Sequence, residues 1–346
     1  MSKRAGAPPT IIDVAQRAGV SIKTVSRVMN KEPAVRAHTR ARVQDAVAAL
    51  NYRPQLSARS LAGARSFLIG LLYYDPSAAF VAGFQQGATL GCREAGRHLV
   101  VESLQRDGTD VQAQIESMLA ALRPDGVILT PPLCDNPLIL ETLRASGTPC
   151  VLISPAGAGH GLPLVRMDDA LAAEELTNLL ISLGHTTIAF IEGDQSASER
   201  RRQGYERALE AHRIAVDPGL VMPGAFDFDS GVAAAHKLFA LPTPPTAIFA
   251  ANDDMALGAL TAAQRLGIAV PGDVAIVGFD DSRAAGLVWP QLTTVRQPLA
   301  EMALAAVAML LSAAGKPDPG QPAPVRVLPH EVIVRGSTAA PSKGRM

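Results

Sequence analysis

Three basic side chains recur at wide, regular intervals in the stretch TIIDVAQRAGVSIKTVSRVMN, residues 10–30. They are Arg17, Lys23 and Arg27, and the only carboxylate among them is Asp13. A surplus of guanidinium and ammonium groups on one surface attracts polyanions such as nucleic acid. The spacing therefore indicates a small basic module near the start of the chain.

The basic surplus is confined to this first part. The formal net charge of all 346 residues is zero, yet residues 1–66 hold 12 Lys and Arg against 3 Asp and Glu. The remaining residues hold 20 against 29. This division favours a polyanion as the partner of the first part only, and the alternative is a basic face that is merely solvated.

Three short helices must position the basic side chains. Thr10 and Asp13 form a capping pair for the first helix, which Gly19 ends. Ser21 caps the second helix, and a third helix is predicted over residues 37–50. Arg36, before the third helix, is a poor capping residue.

The first two helices fit a helix-turn-helix. This motif requires a small residue where the helices nearly touch, a turn residue between them and apolar anchors around both. Ala15, Gly19 and Val25 meet these requirements. The second helix then enters the major groove of DNA with its first turn. Its outward side chains are Ile22, Lys23, Ser26 and Arg27.

From residue 67 onward, short apolar runs alternate with stretches of helical periodicity. The strand-like runs are FLIGLLYY, HLVVESL, DGVILTPP, PCVLISP, TTIAFIEGD, GLVMPGAF, TAIFAAND and DVAIVGFDD, with a further alternating strand, VRVLPHEVIV, near the end. Apolar strands that alternate with helices predict parallel sheets covered on both faces. Because eight or more such units exceed one open sheet, we expect two α/β lobes.

Polar side chains directly follow two of these strands. Asp280 ends the run VAIVGFD, and Asn252 ends TAIFAAN. In two-lobed α/β proteins, ligands bind between the lobes at the carboxyl ends of strands. The neighbouring Asp253 and Asp281 are better interpreted as caps of the helices that follow, and Asn252 has the same alternative.

These segments together resemble the LacI/GalR family of bacterial transcription regulators. Residues 10–30 and TRARVQDAVAALNYRPQLSARSLAG resemble the headpiece and hinge of that family, and the core resembles it over about residues 67–338. The core motifs, in the family's order, are IGLL, DGVIL, LGHTTIAFIEGD, RRQGYERAL, FDFDSG, PTAIFAANDDMALGAL, VPGDVAIVGFDD and LTTVRQP. The implied fold is an all-α helix-turn-helix headpiece and an α/β core of two doubly wound parallel-sheet lobes, like a type I periplasmic binding protein.

The resemblance implies the domain boundaries. The headpiece spans 1–51, the hinge helix or linker 52–66, the core 67–338 and a flexible tail 339–346. Within the core, the first lobe comprises about 67–165 and 297–324, and the second about 166–296 and 325–338.

The resemblance also implies which residues contact DNA. Ile22, Lys23 and Arg27 are expected to contact base edges, and Ser21, Thr24 and Asn30 to contact phosphate or cap helices. Residues 55–61 are expected to form a helix on DNA, where Leu61 enters the minor groove; ordinary packing is the alternative for Leu61. The predicted DNA-binding set is Ser21, Ile22, Lys23, Thr24, Ser26, Arg27, Asn30, Tyr52, Ala58 and Leu61.

A small-molecule effector is expected in the cleft. The residues that match the family's effector-binding positions are Arg201, Phe226, Asn252 and Asp280, with Phe80 and Asp75 as weaker candidates from the other lobe. Carboxylate, amide and guanidinium groups together suit a polyhydroxylated ligand such as a sugar. A nucleobase or another metabolite that acts as a corepressor is the alternative.

The expected protein is a homodimeric, ligand-controlled repressor of a pseudo-palindromic operator. The resemblance implies that helices near residues 80–95 and 104–122 form the dimer interface. We expect neither cofactor nor metal, because the sequence has no GxSxG, P-loop lysine, HExxH or CxxC motif of an enzyme. Without a signal peptide or an apolar span, a cytoplasmic, nucleoid-associated protein is expected rather than a membrane protein. A sugar-binding protein without DNA affinity is the alternative of another class, and it would lack the basic module.

Overall fold

The computed structural model describes residues 9–29, 32–52, 66–74, 77–104, 111–157, 159–312 and 322–341. Contacts divide the chain into two compact units, Met1–Phe67 and Leu68–Met346. Most of the predicted hinge, including Ala58 and Leu61, lies outside the described residues, and so do Asn30 and Asp75.

The first unit contains the three predicted helices, α1 (Ile11–Ala18), α2 (Ile22–Met29) and α3 (Ala37–Ala49). Thr10 starts α1, and both its N–H and its hydroxyl donate to Asp13 Oδ2, at 2.8 and 2.9 Å. Gly19 ends α1 with a φ of 61°, a left-handed conformation that costs glycine little. Ser21 Oγ accepts a hydrogen bond of 3.1 Å from Thr24 N–H and so caps α2.

The buried faces of these helices meet in one small apolar core, which we call the headpiece core. It consists of Val14, Ala15, Ala18, Val25, Val28, Val43, Ala46 and Tyr52. Arg36 begins α3 without a side-chain hydrogen bond to the helix, as its residue type predicts.

Strands and helices alternate along the second unit. Its strands are β1 (Leu68–Tyr73), β2 (His98–Ser103), β3 (Gly126–Leu129), β4 (Cys150–Ile153), β5 (Leu164–Arg166), β6 (Ile188–Glu192), β7 (Val221–Pro223), β8 (Ala247–Ala250), β9 (Ala275–Val277), β10 (Thr294–Arg296), β11 (Val325–Val327) and β12 (Glu331–Ile333). Its helices are α4 (Ala78–Glu94), α5 (Val111–Leu122), α6 (Pro137–Ser146), α7 (Asp169–Ser182), α8 (Ser196–Ala211), α9 (Phe228–Phe239), α10 (Asp253–Arg265) and α11 (Leu299–Leu311).

The strands form two parallel sheets and one antiparallel pair. The first sheet has the order β11-β5-β4-β3-β1-β2, and with α4, α5, α6 and α11 it forms lobe 1. The second has the order β7-β6-β8-β9, and with α7 to α10 and the pair β10–β12 it forms lobe 2. The carboxyl ends of β6, β8 and β9 therefore lie at one edge of lobe 2.

Helices cover both faces of the first sheet. Ile69 and Leu71 of β1 pack on one face with Phe84 of α4 and Met302 of α11. Leu72 points to the opposite face, where α5 and α6 pack. This alternation follows from the two-residue period of a strand.

The segment VRVLPHEVIV departs from its prediction as one strand of the second lobe. Its first part, β11, pairs in parallel with β5 in lobe 1, and its second part, β12, pairs antiparallel with β10. Pro329 separates the two parts, since proline has no N–H for a strand ladder. The lobe boundary predicted at residue 325 is therefore wrong, and the chain leaves lobe 1 only after Val327.

The end of the chain is held for longer than predicted. His185 is buried, and its Nε2 lies 2.9 Å from the carbonyl oxygen of Ala339 while its Nδ1 lies 3.0 Å from Thr246 Oγ1. Ser337 Oγ donates to the carbonyl oxygen of Ile276 at 2.6 Å. The predicted flexible tail therefore does not begin at residue 339. Among the described residues, no helix has both the length and the apolar character needed to cross a membrane.

Candidate DNA-binding face and interlobe cavity

The face of α2 that was predicted to contact DNA is exposed. Ile22 is 47% exposed, Lys23 and Arg27 are exposed too, and Ser26 is half-buried. The opposite face of α2 packs in the headpiece core. These side chains thus have the outward direction that contact with base edges requires.

Three other predicted DNA-binding residues have structural partners. The Ser21 and Thr24 hydroxyls lie 2.9 Å apart at the start of α2. Tyr52 is buried in the headpiece core, and burial raises the pKa of its hydroxyl. Ser21 and Tyr52 therefore stabilise the headpiece itself.

Two arginines of the headpiece are engaged within it. Arg42 of α3 donates to the carbonyl oxygens of Ala18 and of Gly19, the latter at 3.2 Å. These carbonyls belong to the last turn of α1, so α3 holds the turn between α1 and α2. Arg27 Nε lies 3.5 Å from Glu32 Oε2, and both side chains are about half exposed.

A cavity that is partly open to solvent lies between lobes 1 and 2. It brings together all five residues of the predicted effector site: Phe80, Arg201, Phe226, Asn252 and Asp280. The other lining residues are Ser77, Pro131, Gln195, Ala197 and Gln297.

Asp280 lies in the cavity wall with an unusual backbone conformation. Its φ of 131° is rare for a residue with a side chain, and such strain is typical of functional sites. One carboxyl oxygen accepts a hydrogen bond of 2.6 Å from Gln297 Nε2. Burial raises the pKa of Asp280 well above its usual value, an effect that nearby Arg201 opposes and Asp253 reinforces.

Arg201 is buried and largely occupied by protein groups. Its Nε donates to Asp169 Oδ1 at 3.2 Å, and its Nη1 donates to the Ala251 carbonyl at 2.6 Å. The guanidinium carbon lies 3.8 Å from the centroid of the Phe279 ring. Since a guanidinium has five N–H donors, part of its capacity still remains for a ligand.

Asn252 both lines the cavity and caps a helix. Its Oδ1 accepts from Met255 N–H at 2.9 Å, so it caps α10, and its Nδ2 donates to the Phe226 carbonyl at 2.9 Å. Asp253, predicted to be the cap, instead accepts hydrogen bonds from Thr294 Oγ1 and Ser282 N–H, at 2.6 and 2.7 Å. The prediction for Asp253 is wrong because Asn252, one residue earlier, already occupies the capping position.

The predicted cap at Asp281 is also wrong. Its carboxylate forms ion pairs with Arg296 at 2.7 Å and with Arg335 at 2.5 Å. Both arginines lie beside the pair β10–β12, so this carboxylate joins two segments that are distant in sequence.

Aromatic rings form the apolar walls. The Phe226 ring packs directly on Gly193, where even a Cβ atom would lie only 2.1 Å from the ring. Phe80, in the first turn of α4, packs on Phe84 with 6.2 Å between ring centroids. Apolar walls with a few convergent polar groups are the usual composition of a ligand site.

Hydrogen bonds join the two lobes beside the cavity. Ser77 Oγ of lobe 1 donates to Asp254 Oδ2 of lobe 2 at 2.9 Å. Ser196 Oγ of lobe 2 donates to Asp135 Oδ2 of lobe 1 at 2.8 Å. The described residues contain no cluster of His, Cys, Asp and Glu that could hold a metal ion.

The sequence did not single out Gln195 or Gln297. Gln195 precedes α8 just after β6, so the rule that selected Asn252 after β8 would have selected it too. Gln297 lies between β10 and α11, and nothing in the local sequence indicates its bond to Asp280.

Comparison with known proteins shows the family. The family of bacterial regulatory proteins called lacI matches residues 10–55, and a periplasmic binding protein-like domain matches residues 177–338. Catabolite control protein A of Priestia megaterium is 32% identical over 332 residues, 95% of this chain and 99% of that protein. The chain belongs to the lacI family of bacterial regulatory proteins.

Solved structures of lacI-family proteins match nearly the whole chain. A Lac repressor dimer bound to operator and an anti-inducer has a TM-score of 0.83 and 29% identity, covering 96% of this chain and 100% of that one. A complex of the transcriptional regulator CelR with cellobiose has a TM-score of 0.70 and 33% identity, covering 95% and 100%. The predicted fold class is thus confirmed, and this lacI-family chain is a DNA-binding transcriptional regulator, not an enzyme.

Proposed function

We propose that the chain is a homodimeric repressor that binds a pseudo-palindromic operator, and that a sugar-like effector bound between the lobes controls its operator affinity. Two identical headpieces related by a two-fold axis require a DNA site with matching symmetry. The related Lac repressor structure is a dimer bound to operator, which supports this assembly.

The DNA contacts proposed are those of the exposed face of α2. Arg27 suits a bidentate contact with guanine, Ile22 suits the methyl group of thymine, and Lys23 adds a positive charge near phosphates. The basic surplus of residues 1–66 supplies the general attraction to DNA.

The observation that carries the effector proposal is the cavity in which Asp280, Asn252 and Arg201 converge between aromatic walls. Each hydroxyl of a sugar can donate to a carboxylate and accept from an amide or guanidinium. The related CelR structure binds cellobiose, which supports a sugar as the ligand.

The experiment uses the purified full-length chain in two steps. Selection from random duplex DNA gives an operator, and fluorescence anisotropy then measures operator affinity with and without monosaccharides, disaccharides, nucleosides and purine bases. We expect one sugar to change the affinity by a factor of about 5 to 150, the usual size of allosteric coupling. The direction of that change distinguishes an inducer from a corepressor.

Two variants test the two sites separately. Asp280→Ala should keep operator binding and lose the response to the sugar, whereas Arg27→Ala should lose operator binding and keep sugar binding. Arg265→Ala, an exposed position on α10, serves as the charge control. A sugar response that survives in Asp280→Ala contradicts the proposed site, and a chain that selects no DNA contradicts the proposed function.

A further inference from the structure

Gln195 places an unused hydrogen-bond donor in the cavity wall. Its Nε2 is buried and has no hydrogen-bond partner within the part of the chain that the structure describes. The residue precedes α8, but its side chain does not cap that helix. Instead Ser198 Oγ accepts from Gly193 N–H at 2.7 Å, so another side chain organises this turn.

A buried donor without a partner lowers stability, because it has given up its hydrogen bonds to water. In a ligand site, such a donor gains its partner when the ligand arrives. The atom aligned with Gln195 Nε2 must therefore be an acceptor, such as the oxygen of a hydroxyl or a carbonyl group.

The charges around the cavity restrict the ligand further. Asp280 lines the cavity, and Asp254 contacts the lining residue Ser77. Asp253 is buried next to Asp254 in the sequence, and the negative charges of both raise the pKa of Asp280, an effect smaller than that of burial. Within the described residues, none of these three carboxyl groups has an ion pair within salt-bridge distance.

The nearby cations are already engaged with another carboxylate, Asp169. Arg201 lies 3.1 Å from Asp169 and Arg200 lies 3.4 Å from the same carboxylate, so both share Asp169. Arg200 also donates to the Ser154 and Pro155 carbonyls at 2.9 Å, away from the cavity lining. An anionic ligand would therefore lie beside Asp280 and near Asp254, and it would compete with Asp169 for Arg201, the cation of the described lining.

We propose that the cavity selects an uncharged polyhydroxylated effector over its phosphorylated or carboxylated counterparts, and that Gln195 is a specificity-determining residue that donates to one ligand oxygen. This inference rests on the proposed function, because it concerns the same cavity. A hydroxyl group is uncharged and its oxygen can accept a hydrogen bond from Gln195 Nε2, while other hydroxyls of the same ligand donate to Asp280.

The charge test uses matched pairs of probes. D-ribose is compared with ribose 5-phosphate, D-glucose with glucose 6-phosphate, D-galactose with D-galacturonate, and cellobiose is added as a disaccharide. Thermal unfolding of the full-length chain is measured with each, and titration calorimetry gives the Kd of every probe that stabilises it. We expect at least one uncharged probe to bind and its anionic counterpart to bind more weakly by about tenfold or more.

Tighter binding of an anionic probe than of its uncharged counterpart overturns the charge selectivity but leaves the proposed effector site intact. If that binding disappears in Asp280→Ala, the cavity is still the site. If none of the probes binds, the proposed sugar effector and this inference both fail. Tighter binding of an anionic probe contradicts this inference alone, so the two failures are distinguishable.

The role of Gln195 is tested with and without ligand. Gln195→Ala should raise the Kd of the best probe by about tenfold, whereas Gln203→Ala, at an exposed glutamine of α8, should leave the Kd unchanged. Retained operator binding shows that both variants are folded. An unchanged Kd in Gln195→Ala overturns the assignment.

The ligand-free chain provides a second measurement. Gln195→Leu removes the unpartnered donor while keeping a side chain of similar size, so it should unfold at the same temperature as the wild type or higher. Gln203→Leu controls for added surface apolarity. A clear drop in unfolding temperature specific to Gln195→Leu would show that the amide already has a partner, which contradicts the inference.

Discussion

Gln297 Nε2 donates a hydrogen bond of 2.6 Å to Asp280 Oδ1. Asp280 lines the cavity, and Gln297 belongs to the segment between β10 and α11 that carries the chain from lobe 2 back to lobe 1. A ligand that contacts Asp280 thus acts beside a connection between the lobes. If binding of the ligand shifts that connection, linkage requires that the same shift also changes the affinity for the ligand.

Stability should depend on pH through Asp280. Burial raises its pKa well above the usual value, so the folded chain keeps a proton that the unfolded chain loses near pH 4. The contribution is present at low pH and is lost as the pH rises through the raised pKa. Relative to Asp280→Asn, the wild type should therefore lose free energy of unfolding as the pH rises above about 4, as urea unfolding measures.

The prediction is contradicted if the difference in free energy of unfolding between the wild type and Asp280→Asn does not change with pH. It is also contradicted if the wild type becomes more stable relative to the variant as the pH rises.

His185 should give a pH dependence of the opposite sign. Burial lowers its pKa, although the hydrogen bond to Ala339 partly opposes this effect. The unfolded chain therefore takes up a proton below about pH 6.5 that the folded chain resists, and stability falls as the pH falls. Relative to His185→Gln, the wild type should gain free energy of unfolding as the pH rises toward about 6.5, as urea unfolding measures.

Arg42 should stabilise the turn of the headpiece. Arg42→Ala removes its hydrogen bonds to the Ala18 and Gly19 carbonyls, which we expect to cost about 1 kcal/mol at this exposed site. Hydrogen exchange of the amides near residues 19–21 should then be faster without DNA, and operator affinity should fall. Arg36→Ala is the control, because it removes the same charge from the start of α3. Equal exchange rates of the amides near residues 19–21 in the two variants would contradict a specific role for Arg42.

Glu32 should weaken DNA binding by pairing with Arg27. Their charged atoms lie 3.5 Å apart, and Glu32→Gln both releases Arg27 and removes a negative charge from the headpiece. We expect tighter binding to any duplex by about fivefold at most, because an exposed pair contributes less than about 1 kcal/mol. A double-mutant cycle with Arg27→Ala checks this, since additive effects would show that Glu32 acts without Arg27.

The sequence predicted best where one local pattern decides the structure. The spacing of Ala15, Gly19 and Val25 determines the helix-turn-helix, and the exposed face of α2 follows from its helical period. The cavity residues Asp280 and Asn252 could be predicted because parallel strands bring their carboxyl ends to one edge.

The remaining features depend on tertiary contacts that no local pattern contains. Val325–Val327 is a three-residue strand, and its sequence does not indicate which sheet it joins. A polar residue before a helix fits both a cap and a ligand contact, which is why Asn252 has both roles. That Gln195 Nε2 has no partner among the described residues emerges only when the surrounding side chains are in place.

The discontinuity of lobe 1 has a consequence for the order in which the protein is made. The buried residues of lobe 2 run from Met167 to Val295, one continuous stretch of chain. Lobe 1 needs Met302 to Leu310 of α11 to cover one face of its sheet, and β11 to complete the sheet edge. During synthesis from the N-terminus, the buried apolar core of lobe 2 is therefore complete before α11 is made, and only β12 and the segment of Ser337 join this lobe later. On the nascent chain, the face of lobe 1 that carries Ile69 and Leu71 stays partly uncovered until α11 leaves the ribosome, so the core of lobe 1 closes after that of lobe 2 although its first strand is made first.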